Sequence, residues 1–396
     1  MAASRSVVPV SNDPTEQVVA KGAHVAALTG LRGFAVLAVV TVHASAVTDY
    51  PWLGLHTYGP ISLFVLSGFL LFPPWSRWLL GMADKPSVAT FAWRRVWRIF
   101  PAYLVTFALV TLLYPPSRPS DAAGWLRSLT LTQTFTPGGL TAGMQHVWSM
   151  GTELTWYAVL PLAALGSIAL ARRFDARPAR AITGLLLLAA LVTAAWRWML
   201  SLDARTADEL LTWSFWFPAY AVCFFAGAWI SHQVVAVAPT GPRSRRHGAA
   251  LRFAQRPRLV LAIALLAAGI ANSPWGGGWG WSLDSNTERT VRFLFTVALA
   301  LALLAGIGGA QPGTALSRAF SAPWLVAIGR WSYGIYLWHL PVREILLDQM
   351  TPPPSVIGVV VWLAVQFAVS VPLGAATYAF VEKPTIAFAR RVRRGR

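Results

Sequence analysis

Residues 25–47 read VAALTGLRGFAVLAVVTVHASAV, and this stretch decides the fold of the chain. Its 23 residues contain only two ionisable side chains, Arg32 and His43. About 20 predominantly apolar residues in a helix are enough to cross the hydrocarbon core of a bilayer. The stretch therefore predicts a transmembrane helix that carries an arginine and a histidine into the membrane.

The composition of the whole chain agrees with a membrane protein. Of its 396 residues, 56% are hydrophobic, only 12% are charged, and 20 are tryptophan. A soluble domain has about 25% charged residues, so the charges of this chain are too few to cover a water-exposed surface of its size. The high apolar content also excludes an intrinsically disordered chain.

Nine further apolar runs follow the first. The ten runs occupy residues 25–47, 58–72, 99–113, 147–171, 181–200, 211–232, 259–271, 290–309, 324–347 and 356–381. We therefore predict an all-α, polytopic integral membrane helical bundle with about ten transmembrane helices. We divide the chain into an N-terminal tail (1–24), a transmembrane domain (25–384) and a basic C-terminal tail (385–396).

The basic residues fall mainly in alternate loops. If both termini are cytoplasmic, 24 of the 33 lysines and arginines lie in inner segments, four lie in outer loops and five lie in or beside the spans. This asymmetry follows the positive-inside rule. We therefore predict a multi-pass protein of the inner (plasma) membrane with both termini in the cytoplasm and a basic tail that contacts anionic lipid. The net charge of +18 is then a topology signal, and no nucleic-acid partner is expected.

One alternative concerns the first run. Ala44, Ser45 and Ala46 follow an apolar segment and resemble a signal-peptide cleavage site. The preceding 30 residues are long for the start of a signal peptide, and the charge pattern is explained with the run retained. We therefore favour a first run that stays as a transmembrane helix.

Arg32 and His43 share one face of the first predicted helix. Eleven helical steps come within about 20° of three full turns and rise ~16 Å, so the two side chains lie in one line along the helix. Ionisable groups at membrane depth are costly and mark functional sites by default. The alternative is an arginine that reaches the membrane surface and a histidine that only packs between helices.

Three other segments carry polar groups into or beside the spans. Glu153 is the single carboxylate of the fourth run, and His339 follows an aromatic-rich segment in the ninth. The alternative for Glu153 is a structural pair with a buried arginine, and for His339 it is helix packing. Arg94, Arg95 and Arg98 lie before the third run, where forked guanidinium groups suit the phosphates of a donor such as coenzyme A. Their alternative is simple anchoring at the inner surface.

Several well-known sites are missing from the sequence. It contains no H-E-x-x-H zinc motif, no phosphate-binding P-loop and no G-x-S-x-G motif. Cys223 is the only cysteine, which excludes an internal disulfide and a cysteine-based zinc site. We therefore predict no metal site and no permanently bound cofactor.

The polar segments together resemble the acyltransferase-3 family of transmembrane O-acyltransferases. Six elements of the family's pattern occur in family order between residues 28 and 384. They are L-x-G-L-R-G with R-x10-H (Leu28 to His43), F-V-L-S-G-F (Phe64 to Phe69), R-R-x-x-R-x-x-P (Arg94 to Pro101), W-S-x-x-x-E-x-x-x-Y (Trp148, Ser149, Glu153, Tyr157), S-Y-x-x-Y-L-W-H-x-P (Ser332 to Pro341) and E-K-P (Glu382 to Pro384).

The resemblance implies an acyl-CoA-dependent O-acyltransferase. It implies transfer of an acyl group, acetyl or succinyl, from cytoplasmic acyl-CoA to a hydroxyl of a cell-envelope glycan or glycolipid. In family terms His43 is catalytic and Glu153 is an essential acid, which we expect to orient or charge-balance the His43 ring. A neutral imidazole, which a low-dielectric site favours, is the form that removes a proton from a hydroxyl. The expected donor-binding residues are Arg32, Arg94, Arg95 and Arg98, and the expected substrate-binding or supporting residues are Ser67, Trp148, Ser149, Tyr157, Tyr333 and His339.

Three departures from the family pattern limit which of the family's properties can be expected of this chain. Ile61 stands where an acidic residue is common, and Leu154 stands where a second glutamate is often found. The esterase-like domain fused to some members is absent from the sequence, so a stand-alone membrane domain is expected to complete transfer alone or with a separate partner. Two alternatives remain open at this point. One is acylation of a secondary metabolite such as a macrolide, and the other is a lipid-linked sugar flippase or transporter without chemistry.

Overall fold

A computed structural model describes residues 14–54, 58–173, 178–202, 206–237, 249–277, 285–309, 313–352 and 354–394. The described chain is helical throughout its elements and contains no strand, which confirms the predicted all-α fold. The helices are α1 (Pro14–Ser45), α2 (Tyr58–Leu71), α3 (Pro73–Leu79), α4 (Val88–Leu113), α5 (Ala122–Thr130), α6 (Trp148–Arg173), α7 (Pro178–Ser201), α8 (Ala207–Ser214), α9 (Ala221–Val237), α10 (Ala249–Ala254), α11 (Pro257–Ala271), α12 (Asn286–Gly308), α13 (Ala315–Phe320), α14 (Pro323–Gln349), α15 (Val356–Thr377) and α16 (Lys383–Arg394).

Eight segments of the described chain are long and apolar enough to cross a membrane. They are Val25–Ser45, Pro51–Leu71, Val88–Leu113, Gln145–Ala171, Ala179–Ser201, Phe217–Val237, Asn286–Gly308 and Val356–Val392. These segments confirm a multi-pass membrane protein. The predicted count of ten needs two more helices, the 15-residue apolar α11 and the 27-residue α14, whose sequence includes four charged residues and His339. The count of ten and the cytoplasmic location of both termini therefore stay predictions.

Several helices begin at side chains that satisfy their first backbone N–H groups. Ser87 accepts a hydrogen bond from the Thr90 N–H before α4, and Ser355 accepts one from the Gly358 N–H before α15. The first N–H groups of a helix have no partner within the helix, so such caps fix where the helix starts. They set the position of α4, which carries the arginines, and of α15, which packs behind α14.

Helix α1 packs most extensively against α14, and α14 packs in turn against α15. Gly33 on α1 and Gly329 on α14 stand at this contact. A Cβ atom on Gly33 would collide with the backbone of Leu325, and one on Gly329 would collide with the Thr29 carbonyl. Small residues let membrane helices approach closely, which stabilises their packing. The contact holds the helix of His43 against the helix of His339.

The C-terminal segment is part of the bundle. A π-helical turn, Tyr378–Glu382, joins α15 to α16. Helix α16 lies on α4, where the Trp93 indole donates to the Ala389 carbonyl at 3.2 Å and the Trp97 and Phe388 ring centroids are 4.8 Å apart. The segment predicted as a tail over 385–396 is therefore helical as far as residue 394. The N-terminal tail predicted over 1–24 is likewise helical from residue 14.

Candidate active site

Three histidines from different elements meet inside the bundle. We call His43 of α1, His146 of the 3₁₀ turn Gln145–Val147 and His339 of α14 the histidine cluster. The ring centroids of His43 and His339 are 5.0 Å apart, and those of His146 and His339 are 4.9 Å apart. His339 is fully buried and His146 is 2% exposed. His43 is partly buried, so the cluster combines two rings shielded from solvent with one that is partly accessible, all from residues far apart in the sequence.

Backbone hydrogen bonds indicate the tautomers of two of these rings. The Nδ1 atom of His43 lies 2.8 Å from the Val39 carbonyl oxygen, and that of His339 lies 2.6 Å from the Tyr336 carbonyl oxygen. A carbonyl oxygen only accepts, so each Nδ1 carries the hydrogen. In the neutral ring Nε2 is then the unprotonated nitrogen, which is the form required of a general base.

The end of α1 beside the cluster is fixed by side chains from α14 and α15. The last carbonyl groups of a helix have no partner within the helix. Here Arg343 donates to the His43 carbonyl at 3.1 Å, and the Trp362 indole donates to the Ala44 carbonyl at 2.9 Å. Helix α1 ends only two residues after His43, whereas α14 continues ten residues beyond His339. These two bonds from α14 and α15 therefore fix the backbone of α1 at His43 and Ala44.

A pair of hydroxyl groups ties the start of α6 to α14. The Tyr336 hydroxyl donates to the His146 carbonyl, and Ser149 donates to the Tyr336 oxygen at 2.7 Å. Beside them the Trp148 indole stacks on Phe215 with centroids 4.5 Å apart. Ser149 and Trp148, expected as supporting residues, thus position the turn that carries His146.

Glu153 belongs to a different set of contacts. Its Oε1 accepts hydrogen bonds from the Ser67 hydroxyl at 2.9 Å and from the Tyr157 hydroxyl at 2.7 Å. We expected Glu153 to orient or charge-balance His43, but the hydrogen bonds described for this carboxylate go to Ser67 and Tyr157, and the Val39 carbonyl is the partner of His43 Nδ1. The role of Glu153 as an essential acid stays a prediction. Three of the residues expected from the sequence, Ser67, Glu153 and Tyr157, are nevertheless in direct contact.

The arginines gather at a second place, which we call the arginine end and define by Arg32, Arg95, Arg98, Tyr333 and Glu382. Arg98 forms an ion pair with Glu382, whose side chain is completely buried. The Arg98 guanidinium also lies over the Tyr333 ring at 5.6 Å, and the Tyr333 hydroxyl donates to the Ile99 carbonyl at 2.8 Å. A buried carboxylate needs such a partner. The pair uses only part of the five N–H donors of Arg98, so phosphate binding stays compatible with it.

The other predicted donor-binding arginines differ in their surroundings. Arg95 lies over the rings of Phe91 and Tyr157, at 5.9 and 5.7 Å. Arg32 is close enough to Arg98, Glu382 and Glu153 to interact with their charges. Arg94 is exposed. The arginine end is thus linked to Glu153 through Tyr157, and helix geometry separates Arg32 from His43 by ~16 Å along α1.

Sequence reasoning gave no role to three residues that the structure places in these sites. His146 directly precedes the Trp148-Ser149 element, and Glu382 opens the closing E-K-P element, so both were visible next to recognised motifs. The one sequence feature that could have marked Arg343 as functional was its location inside a predicted span. Their contacts depend on how helices pack, which single-span patterns do not report.

The described chain is thus a multi-pass helical bundle with the histidine cluster at one place and the arginine end at another. The acyltransferase-3 family model, described as an acyltransferase domain, matches residues 25–379. The chain therefore belongs to the acyltransferase-3 family, as its motifs predicted.

Three curated proteins illustrate the relationship. The chain is 24% identical to the peptidoglycan O-acetyltransferase OatA of Listeria monocytogenes over 383 residues, which cover 91% of this chain and 56% of that protein. It is 26% identical to the putative peptidoglycan O-acetyltransferase YrhL of Bacillus subtilis over 391 residues, 91% of this chain and 55% of that protein. It is 35% identical to the acyltransferase MdmB of Streptomyces mycarofaciens over 153 residues, 34% of this chain and 38% of that protein.

The chain therefore spans about half the length of the two peptidoglycan O-acetyltransferases it matches. No solved structure matches it.

Proposed function

We propose that this domain transfers an acyl group, acetyl in the first instance, from cytoplasmic acyl-CoA to a hydroxyl of a cell-envelope glycan or glycolipid at the plasma membrane. The observation that carries the proposal is the histidine cluster, where the Val39 carbonyl binds Nδ1 of His43, so that Nε2 is the basic nitrogen of the neutral ring. Two relatives bear the name peptidoglycan O-acetyltransferase, which favours a glycan acceptor and an acetyl group.

The proposed reaction needs one base and no resident cofactor. The acceptor hydroxyl gives its proton to His43 Nε2 while its oxygen attacks the thioester carbonyl carbon. The carbon–sulfur bond then breaks, and the proton on His43 passes to the departing sulfur. The products are the acylated acceptor and the free thiol of coenzyme A.

The arginine end supplies the proposed donor site. Phosphate groups of coenzyme A would bind Arg95 and Arg98, since forked guanidinium groups match phosphate oxygens. The flexible arm that bears the thioester would then extend along the bundle towards His43. Glu153 would place a negative charge between the arginine end and the histidine cluster, because it contacts Tyr157 beside Arg95 and interacts with Arg32.

The test uses purified protein in lipid nanodiscs with radiolabelled acetyl-CoA and peptidoglycan fragments. Labelled ester on the glycan supports the proposal, and competition with succinyl-CoA identifies the preferred acyl group. Movement of a labelled glycolipid across the bilayer without ester formation would instead favour a flippase. Ester formation on a macrolide but not on glycans would show that the acceptor is a secondary metabolite and not an envelope glycan.

A further inference from the structure

We propose that His146 and His339 form a binding site for a second hydroxyl of the acceptor, so that the enzyme selects a polyol with a free hydroxyl next to the one that is acylated. The inference rests on the proposed function and adds the acceptor's chemistry to it. It follows from buried nitrogen atoms that His43-centred chemistry leaves unused.

His339 presents a buried acceptor atom without a donor. Its side chain is fully buried, and its Nδ1–H is committed to the Tyr336 carbonyl. In the neutral ring Nε2 therefore carries a lone pair and can only accept a hydrogen bond. It has no hydrogen-bond partner among the described residues. Buried polar atoms are almost always paired, and leaving one unpaired is costly. An atom of this kind indicates a ligand that brings a donor.

His146 presents the complementary group. Its ring is nearly completely buried, and neither ring nitrogen forms a hydrogen bond of normal geometry with the described residues, while the Leu337 backbone is close enough to interact with the ring. A neutral imidazole offers one donor and one acceptor. A hydroxyl group offers the same pair of functions, so it can donate to His339 Nε2 and accept from the His146 N–H.

The position of this site defines the acceptor. The His339 ring lies 5.0 Å from the ring of His43 and 4.9 Å from that of His146. A hydroxyl held by His339 and His146 therefore lies beside the hydroxyl that gives its proton to His43. Two hydroxyls so close together belong to one molecule with neighbouring hydroxyl groups, as in a sugar ring. A single water molecule is the competing occupant.

The experiment compares acceptors that differ by one hydroxyl. The probe is the N-acetylglucosamine–N-acetylmuramic acid disaccharide with its set of monodeoxy analogues, each lacking a single hydroxyl. For the wild-type protein we expect one analogue, lacking a hydroxyl adjacent to the acylated position, to lose at least ~10-fold in kcat/KM, because a site built to bond a hydroxyl rejects the analogue that lacks it. Analogues that lack remote hydroxyls should react at the parent rate.

Variants then assign that preference to His339. His339→Asn keeps an N–H near the Nδ1 position for the Tyr336 carbonyl but has no atom at the Nε2 position. We expect it to raise the acceptor KM and to bring the preference, which is the ratio of kcat/KM for the parent disaccharide to that for the sensitive analogue, close to one. His339→Gln places an amide atom near the Nε2 position and should keep part of the preference. His146→Asn gives a second, independent test of the same ratio.

The matched control is His232→Asn. His232 is also buried, and its Nδ1 bonds to Ser76, but it lies on α9 against α3. Its replacement should leave the preference unchanged.

Three results would contradict the proposed binding site for a second hydroxyl. Wild-type transfer to all analogues at equal rates would overturn it and leave the proposed function standing. An unchanged preference in His339→Asn and His146→Asn would also overturn it and return the two rings to packing or to water binding. Absence of transfer to the disaccharide would contradict the proposed function, and the inference would fail with it.

Discussion

The imidazole rings of His43 and His339 lie edge to face with centroids 5.0 Å apart, although they belong to the first and fourteenth helices. The arrangement depends on the close contact of α1 and α14 at Gly33 and Gly329. Both rings have Nδ1 fixed by a carbonyl of their own helix. Carbonyl groups on two packed helices therefore orient both rings, including that of the proposed base.

The donor site is tested with Arg95. Arg95→Ala should raise the KM for acyl-CoA about 10-fold or more, since a lost bond to a charged phosphate is worth at least a factor of ten in affinity. Arg95→Lys should recover only part of it, because lysine lacks the planar fork. Steady-state kinetics over a range of acetyl-CoA concentrations measure the effect, with the exposed Arg390→Ala on α16 as control. An unchanged KM in Arg95→Ala would assign this residue to stacking on Phe91 and Tyr157.

Arg98 should respond differently from Arg95. Arg98→Ala leaves the buried Glu382 carboxylate without its partner, so we expect a loss of stability on the order of 3 kcal/mol. The double change Arg98→Ala with Glu382→Gln should restore much of that stability, because the side chain that lost its partner is then neutral. Thermal unfolding of the purified variants measures both effects. Equal stability of Arg98→Ala and wild type would show that the ion pair contributes little.

Glu153 can be tested without removing its hydrogen bonds. Glu153→Gln still accepts from Ser67 and Tyr157 through its Oε1 but lacks the negative charge that faces Arg32. We expect at least a ~10-fold loss of transfer with normal insertion, since hydrogen bonds to a carboxylate are about twice as strong as neutral ones. Asp348→Asn, an exposed change on α14, is the control. Full activity of Glu153→Gln would leave Glu153 a structural residue.

The predicted topology has a direct test. A reporter fused after residue 258 should be cytoplasmic, and one fused after residue 284 should be outside, because the basic loop before residue 258 belongs to the inner set. The two fusion positions lie near the start and beyond the end of α11. This helix is one of the two that the predicted count of ten adds to the eight long apolar segments. The same location for both reporters would show that α11 does not cross the membrane.

The spans that are long and apolar were predictable because membrane insertion depends on local composition. The motifs around His43, Arg98 and Glu153 were recognised from their resemblance to the family pattern, since each is a short local stretch of sequence. Helix α14 is harder to identify from composition, because His339 and its polar neighbours lower its apolar content. Polar residues that serve a shared buried site weaken the signal of the span that carries them.

The partners of these residues were not predictable. The spacing of Arg32 and His43 gave their shared face, but the bond of His43 to Val39 and the contact with His339 arise from ring rotation and helix packing. Glu153 bonds to Ser67 on α2, a partner that its motif on α6 did not predict, because α2 and α6 contact each other only in the folded bundle. Long-range pairing of this kind is set by the tertiary structure and leaves no periodic pattern in the sequence.

The central claim is that His43 removes the proton from the acceptor hydroxyl, and its most direct test is ester formation by His43→Ala in nanodiscs with labelled acetyl-CoA and a peptidoglycan fragment. The matched control is His232→Ala, a buried histidine outside the histidine cluster. The account predicts that His43→Ala binds acetyl-CoA like the wild type but forms ester ~10²–10⁴-fold more slowly, the usual cost of losing a positioned base. Ester formation by folded His43→Ala at the rate of His232→Ala would contradict it.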